Sequence, residues 1–159
     1  MADRVFYTII FTFKIKMASK SVLVDQRFPI KFNCAQTVFS LHAEEMGLNE
    51  KTALKIASGF GGGMACAETC GAVSGAYMVI GMKHGHDISD TEAKTKTKQL
   101  ILDFNRRFKK VHGSLICKEL IGFDISKPGD SQTAASADVF RKKCPHFLKT
   151  ACDILDAHF

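Results

Sequence analysis

The sequence predicts an all-α, single-domain protein, a bundle of about five to seven helices. Three observations predict it. Apolar residues recur at helical spacing along nearly the whole chain, helix-starting Asn and Ser residues and helix-ending glycines fall at the breaks, and 159 residues suffice for one core but not for two ordinary ones. The balance of 46% apolar and 24% charged residues is that of a globular domain, which excludes wholesale disorder and a membrane bundle.

The first 16 residues stand apart. Their apolar run, VFYTIIFTF at 5–13, is too short to span a bilayer as a helix, and no small-residue cleavage site follows it. Met17 opens MASKSVLV, an ordinary soluble start, and translation is expected to begin there. Residues 1–19 are thus an N-terminal extension, extended or disordered over the first 16 residues and expected to lie outside the native protein. A short edge strand at 5–13 or an interfacial anchor is the alternative. The helical domain covers 20–159.

Within that domain, Asn33 caps a first helix in which Cys34, Val38 and Leu41 form one stripe and Ala35, Phe39 and His42 the next, until Gly47 stops it. Asn49 caps a second, carrying Leu54, Ile56 and Ala57 up to the break at GFGGGM. A third runs from about Ala65 to Met82, with Gly85 at or just past its end. Ser89 and Glu92 fit a capping box for a long fourth helix with the stripe Leu100, Ile101, Phe104, Phe108 and Val111, closed by Gly113. Ser114 starts a short helix, FDISKPGDSQTAASAD reads as a loop, and a helical piece spans about Ala134 to Lys143. Cys144 is the expected N-cap of the last helix, because Pro145 suits a first helical position.

The formal charge is +6, with basic runs at Lys94, Lys96 and Lys98, at Arg106, Arg107, Lys109 and Lys110, and at Arg141, Lys142 and Lys143. Each run sits among apolar residues at helical spacing with no interleaved aromatic pattern, so it reads as a solvated helix face, and no nucleic-acid partner is expected. No membrane span is expected either.

Chemistry concentrates in six cysteines, Cys34, Cys66, Cys70, Cys117, Cys144 and Cys152. No export signal accounts for them, which points to a cytoplasmic location and reduced thiols with a redox or metal role rather than a disulfide framework. Cys34, Cys117 and Cys144 are expected in first turns of helices, where unpaired N–H groups and the helix dipole favour thiolate over thiol. Cys70 precedes Gly71 and Gly75, which leave room for a neighbouring helix or for a cofactor beside the thiol. Cys66 and Cys70 share a helical face if the helix runs through both, and joint metal ligation then outranks a disulfide, with simple packing of Cys66 ahead of either. Glu68 is a candidate proton acceptor or metal ligand, with a first-turn acid as its plainer role. Cys152 reads as a small buried hydrophobe. His84 and His86 read as exposed at a helix end, and His112 and His146 are activators or ligands of Cys117 and Cys144 only if the fold joins them.

FNCAQTV at 32–38, ASGFGGGM at 57–64, ETCGAVSGAYMVIG at 68–81, CKELIGFDIS at 117–126 and KCPHFLKTACDIL at 143–155 together resemble the C_GCAxxG_C_C family of redox-active proteins. The resemblance runs from about residue 20 to the C-terminus, and both cysteine order and surrounding glycines agree with it. It implies that Cys34, Cys70, Cys117 and Cys144 are the four hallmark cysteines, in a small helical protein with a prosthetic group such as an iron–sulfur cluster. Cys66, Cys152 and the apolar N-terminal extension fall outside the family pattern.

The expected function is therefore redox work by cysteine thiolates. Cys34, Cys70, Cys117 and Cys144 would serve as redox groups and as ligands of an iron–sulfur cluster or another metal, with Gly71, Gly75, Cys66 and Glu68 lining that centre. Thiol–disulfide exchange between Cys70 and either Cys34 or Cys144 is the alternative. From another class, the chain is a non-redox helical binding protein whose cysteines only pack. A redox partner is implied, and the small-residue helix face is compatible with a homodimer.

Overall fold

The computed structural model describes residues 19–159, and the expectations for residues 1–16, including the strand at 5–13 and the start at Met17, lie outside the described residues. A 3-10 turn at Lys20–Gln26 leads into seven α-helices: α1 (Cys34–Ala43), α2 (Glu50–Ala57), α3 (Gly71–His84), α4 (Thr91–His112), α5 (Cys117–Ile121), α6 (Pro128–Ser136) and α7 (Val139–His158). No strand occurs among the described residues, so the all-α expectation holds.

Helix α3 is the hub. It is apolar all round, the pattern of a central helix, and Ala72, Val73, Ala76, Val79 and Ile80 are fully buried. It packs most closely on α1 and also meets α4 and α7. Phe39 of α1, Phe104 and Phe108 of α4, and Leu148 and Leu155 of α7 fill the core around it. Burial of a Phe or Leu side chain contributes about 1.5–3 kcal/mol. Val111, expected on the apolar stripe of α4, is 63% exposed.

Caps fix several helix starts. Asn33 forms a full capping box with Gln36, and Asn49 accepts from the Lys51 N–H. Helix α4 is capped one residue later than expected: Asp90, not Ser89, accepts from the Glu92 and Ala93 N–H groups. A carboxylate at that position satisfies two orphan donors and complements the helix dipole.

The turn at Lys20–Gln26 is fastened to α7 by polar contacts. Ser19 Oγ donates to Asp153, Lys20 Nζ lies 2.9 Å from Asp156 and 2.8 Å from Glu45, and Lys149 lies 2.6 Å from Asp25. Fully buried His42 joins this network, with Nδ1 2.9 Å from the Val38 carbonyl and Nε2 3.3 Å from Asp156. The segment after the turn contains the cis Phe28–Pro29 peptide and runs into the Asn33 cap of α1.

Three sequence expectations are corrected. Helix α3 begins at Gly71 rather than near Ala65, because Gly62, Gly63, Met64, Ala65 and Ala67 all have φ between 56° and 63°. Such left-handed backbone cannot continue a right-handed helix, and it costs roughly 1–2 kcal/mol at each non-glycine residue. The stretch taken as a loop contains α6, started by Pro128 at a first helical position. The helical piece at 134–143 and the last helix are not separated at Cys144: α7 runs unbroken from Val139 to His158 with Pro145 inside it, which forfeits one backbone hydrogen bond.

Candidate functional site

Four segments bring the hallmark thiols together. Asn33 starts α1 so that Cys34 is its first residue. Glu68–Cys70 and Leu115–Cys117 pair as a minimal antiparallel bridge, in which the Cys70 N–H donates to the Leu115 carbonyl at 2.8 Å and the Cys117 N–H to the Glu68 carbonyl at 2.6 Å. That bridge places the starts of α3 and α5 side by side, with Cys70 as the N-cap of α3 and Cys117 opening α5. Outside the bridge, Glu68 and Lys118 form an ion pair at 2.6 Å across the same two segments.

Helix α1 then docks on α3 through glycine. A Cβ on Gly71 would lie 2.8 Å from the Cβ of Cys34, and one on Gly75 would lie 2.9 Å from the Ala35 carbonyl oxygen. The room beside both glycines is thus taken up by α1, which brings Cys34 against the start of α3. From the far end of the chain, α7 brings Cys144 to Cys34.

Electrostatics confirm that the thiols feel one another. Hydrogen bonding with Cys144, followed by burial and the nearby Cys144, Cys70 and Cys117, pushes the Cys34 thiol well above its usual range. The same hydrogen bond moves Cys144 the other way, and the neighbouring Lys143 ammonium adds to that lowering against the cost of burial. Of the two, Cys34 holds its proton the more tightly and Cys144 gives its proton up the more readily. Burial raises Cys70 to about 11, although the Ala72 and Val73 N–H groups at the helix start pull the other way. Burial, with the charges of Cys70 and Cys144, raises Cys117 to about 12. A first-turn position does not lower the thiols of Cys34 and Cys117: hydrogen bonding with Cys144 and then burial raise the first, burial and like charge the second. Cys144, misplaced in a first turn by the sequence, is the acidic one.

Cys34, Cys117 and Cys144 line an apolar cleft of about 420 Å³. Its walls include Phe28 and Phe32 from the segment before α1, Ile125 after α5 and Phe140 of α7. Sequence reading missed these wall residues. Phe28 and Phe32 flank a proline just ahead of the α1 cap, and that pairing of aromatics with a cap was the only local signal.

The remaining candidates lie elsewhere. Cys66 falls in the left-handed segment, not on a face shared with Cys70, and it is exposed rather than packed. Glu68 precedes α3 instead of occupying its first turn. Cys152 is fully buried, as expected. His112 contacts Thr150 at 2.9 Å between the Phe108 and Phe147 rings, and no imidazole is among the groups acting on the four thiols. Among the described residues no group of three or more His, Cys, Asp or Glu side chains is placed to hold a metal ion. None of the described helices is long and apolar enough to cross a membrane.

Buried thiols give the domain an alkaline weakness. Cys70, Cys117 and Cys152 have folded pKa values of about 11, 12 and 12, above the unfolded value near ~8.5. Their stabilisation is complete below the unfolded pKa and is lost as pH rises through the folded values. The free energy of urea unfolding is expected to fall steadily above about pH 9, by at most about 1.4 kcal/mol per pH unit for each fully buried thiol. A midpoint unchanged at pH 10 would contradict this burial.

No curated protein and no solved structure matches the chain. A family model described as "Putative redox-active protein (C_GCAxxG_C_C)" matches residues 32–158, from the residue before the α1 cap to the last turn of α7. That span takes in the four converging thiols and every element that positions them, and the chain accordingly belongs to the C_GCAxxG_C_C family.

Proposed function

We propose that this chain does its redox work through a reversible dithiol–disulfide couple of Cys34 and Cys144, with Cys70 and Cys117 beside it as neutral thiols. The observation that carries the reading is that two cysteines from opposite ends of the domain, Cys34 and Cys144, meet at the wall of one open cleft. Their coupling requires the two sulfurs to approach to the ~2.0 Å bond of a disulfide. Oxidation forms the S–S bond, releases the proton held on Cys34, and passes two electrons to an acceptor at the cleft. Reduction reverses each change.

Cys144 is the attacking sulfur, since the thiolate is the nucleophile, and Cys34 is the resolving one. This differs from exchange centred on Cys70, whose thiol is buried and does not line the cleft. An iron–sulfur cluster or other metal has the right donor count in Cys34, Cys70, Cys117 and Cys144. As placed, however, no three of the described donors share the reach of one ion, so the residues do not fit a mononuclear metal, and no step is derived through a bound metal or cluster.

The test is a redox titration under argon, with free thiols blocked at each potential and the linkages mapped by mass spectrometry. One two-electron transition with a Cys34–Cys144 linkage is expected, the other four cysteines remaining free. Iron with acid-labile sulfide in stoichiometric amount, lost on replacing any hallmark cysteine, would put a cluster in its place.

A further inference from the structure

We propose that the cleft is the binding site of a quinone, which takes two electrons from the Cys34–Cys144 pair. This inference rests on the dithiol reading above and names its oxidant. Size, lining and charge together select that class. Cys144 is only 5% exposed and is reached through the cleft, so a disulfide fixed on the surface of a folded protein is poorly placed to meet it. A volume of about 420 Å³ is within the range that holds a small molecule.

The walls then discriminate among small oxidants. Phe28, Phe32, Phe140 and Ile125 offer apolar and aromatic faces, which disfavour a charged peptide disulfide and favour a flat, uncharged ring. Lys31 also lines the cleft, and among the described residues its ammonium makes no ion pair. A quinone arrives neutral and gains negative charge on its oxygens as it is reduced. An unpaired cation beside an apolar ring site stabilises that change and not the starting state, which is where electrostatic stabilisation accelerates a reaction.

The step balances. The Cys144 thiolate adds to a ring carbon, forming a C–S bond and moving an electron pair onto one ring oxygen, where Lys31 meets the charge. Cys34 gives up its proton to that oxygen and attacks the Cys144 sulfur. The S–S bond forms, the C–S bond breaks, and its electron pair returns to the ring as the second hydroquinone oxygen, which takes a proton from water. The dithiol loses two electrons and two protons in all, counting the one that Cys144 had already released, and the quinone gains both.

The probe is tetramethyl-1,4-benzoquinone, whose substituted ring leaves no open position for a stable thiol adduct. Reduced full-length protein is mixed with it under argon, and quinone absorbance and linkages are followed. Expected are a rate that saturates with quinone, one hydroquinone per chain, a Cys34–Cys144 linkage, and competition by tetramethylbenzene, which has the shape without the carbonyl groups. Lys31→Gln should lower the saturated rate roughly tenfold. A linear rate that Lys31→Gln leaves unchanged overturns the quinone site. So does failure to reduce the quinone while dithiodipyridine still links Cys34 to Cys144, a result that leaves the dithiol couple standing. If neither reagent links the two cysteines, the couple itself falls.

Discussion

Cys144→Ser is expected to abolish the two-electron transition. The hydroxyl cannot form the S–S bond, and the only thiol whose environment favours the anion is gone. Cys34→Ala should abolish it too, by a different route that separates chemistry from packing. Here Cys144 survives but loses the S–H donor that is the first cause of its lowered pKa, so its pKa rises. Alkylation at residue 144, followed by mass spectrometry at pH 7, is expected to slow in Cys34→Ala relative to the unaltered chain and to speed up again as pH is raised. If the cysteines only packed, the transition would be absent from the parent chain as well, and alkylation at 144 would not respond to residue 34. Cys152→Ala is the control: a fully buried thiol outside the cleft should cost stability and leave the transition intact.

Much of the fold was legible because its signals are local. Asn33, Asn49 and Gly113 mark helix boundaries with their own backbone chemistry, and the structure uses all three. The misreadings came where two local rules competed. Pro145 suits a first helical position, yet tertiary packing of Phe147, Leu148 and Ala151 holds α7 straight through it. Pro128 sat among turn residues and proved to be the true helix start. The left-handed run before α3 could not be read at all, since Met64, Ala65 and Ala67 are poor residues for that conformation and carry no signal for it.

The site divided along the same line. Family membership was readable, because the order of the cysteines and the glycines around them are sequence properties. Which thiols share the cleft was not. The lowered pKa of Cys144 comes from Cys34 in a distant helix and from Lys143, while Cys144 and burial raise Cys34 and burial raises Cys117, against the dipole argument that had treated the three alike. The cleft was hidden for a similar reason: Phe28, Phe32, Ile125 and Phe140 come from three separate segments and share no spacing.

Gly71 and Gly75 connect fold and site, and replacing both with alanine should show it. In an isolated helix the change would be favourable, by about 1 kcal/mol per residue. Here the Gly75 Cβ would lie 2.9 Å from the Ala35 carbonyl oxygen and 3.2 Å from the Ala35 Cα, and that backbone cannot yield as a flexible side chain can. The Gly71 Cβ would press on the Cβ of Cys34 at 2.8 Å and on the Phe60 carbonyl at 3.1 Å. Overpacking of this kind costs about 1–3 kcal/mol at each site. Because both new methyls meet α1, the two costs overlap, and set against the gain in helix propensity they leave an expected net loss of about 1–2 kcal/mol in urea denaturation for the double variant. The displacement should also carry Cys34 away from Cys144, so the Cys34–Cys144 linkage should form more slowly and reduce more easily than in the parent chain. A double variant as stable as the parent, with an unchanged linkage, would mean that α1 does not rest on these glycines. Loss of stability with an unchanged linkage would mean that α1 gives way at Ala35 and Val38 while its first turn stays in place.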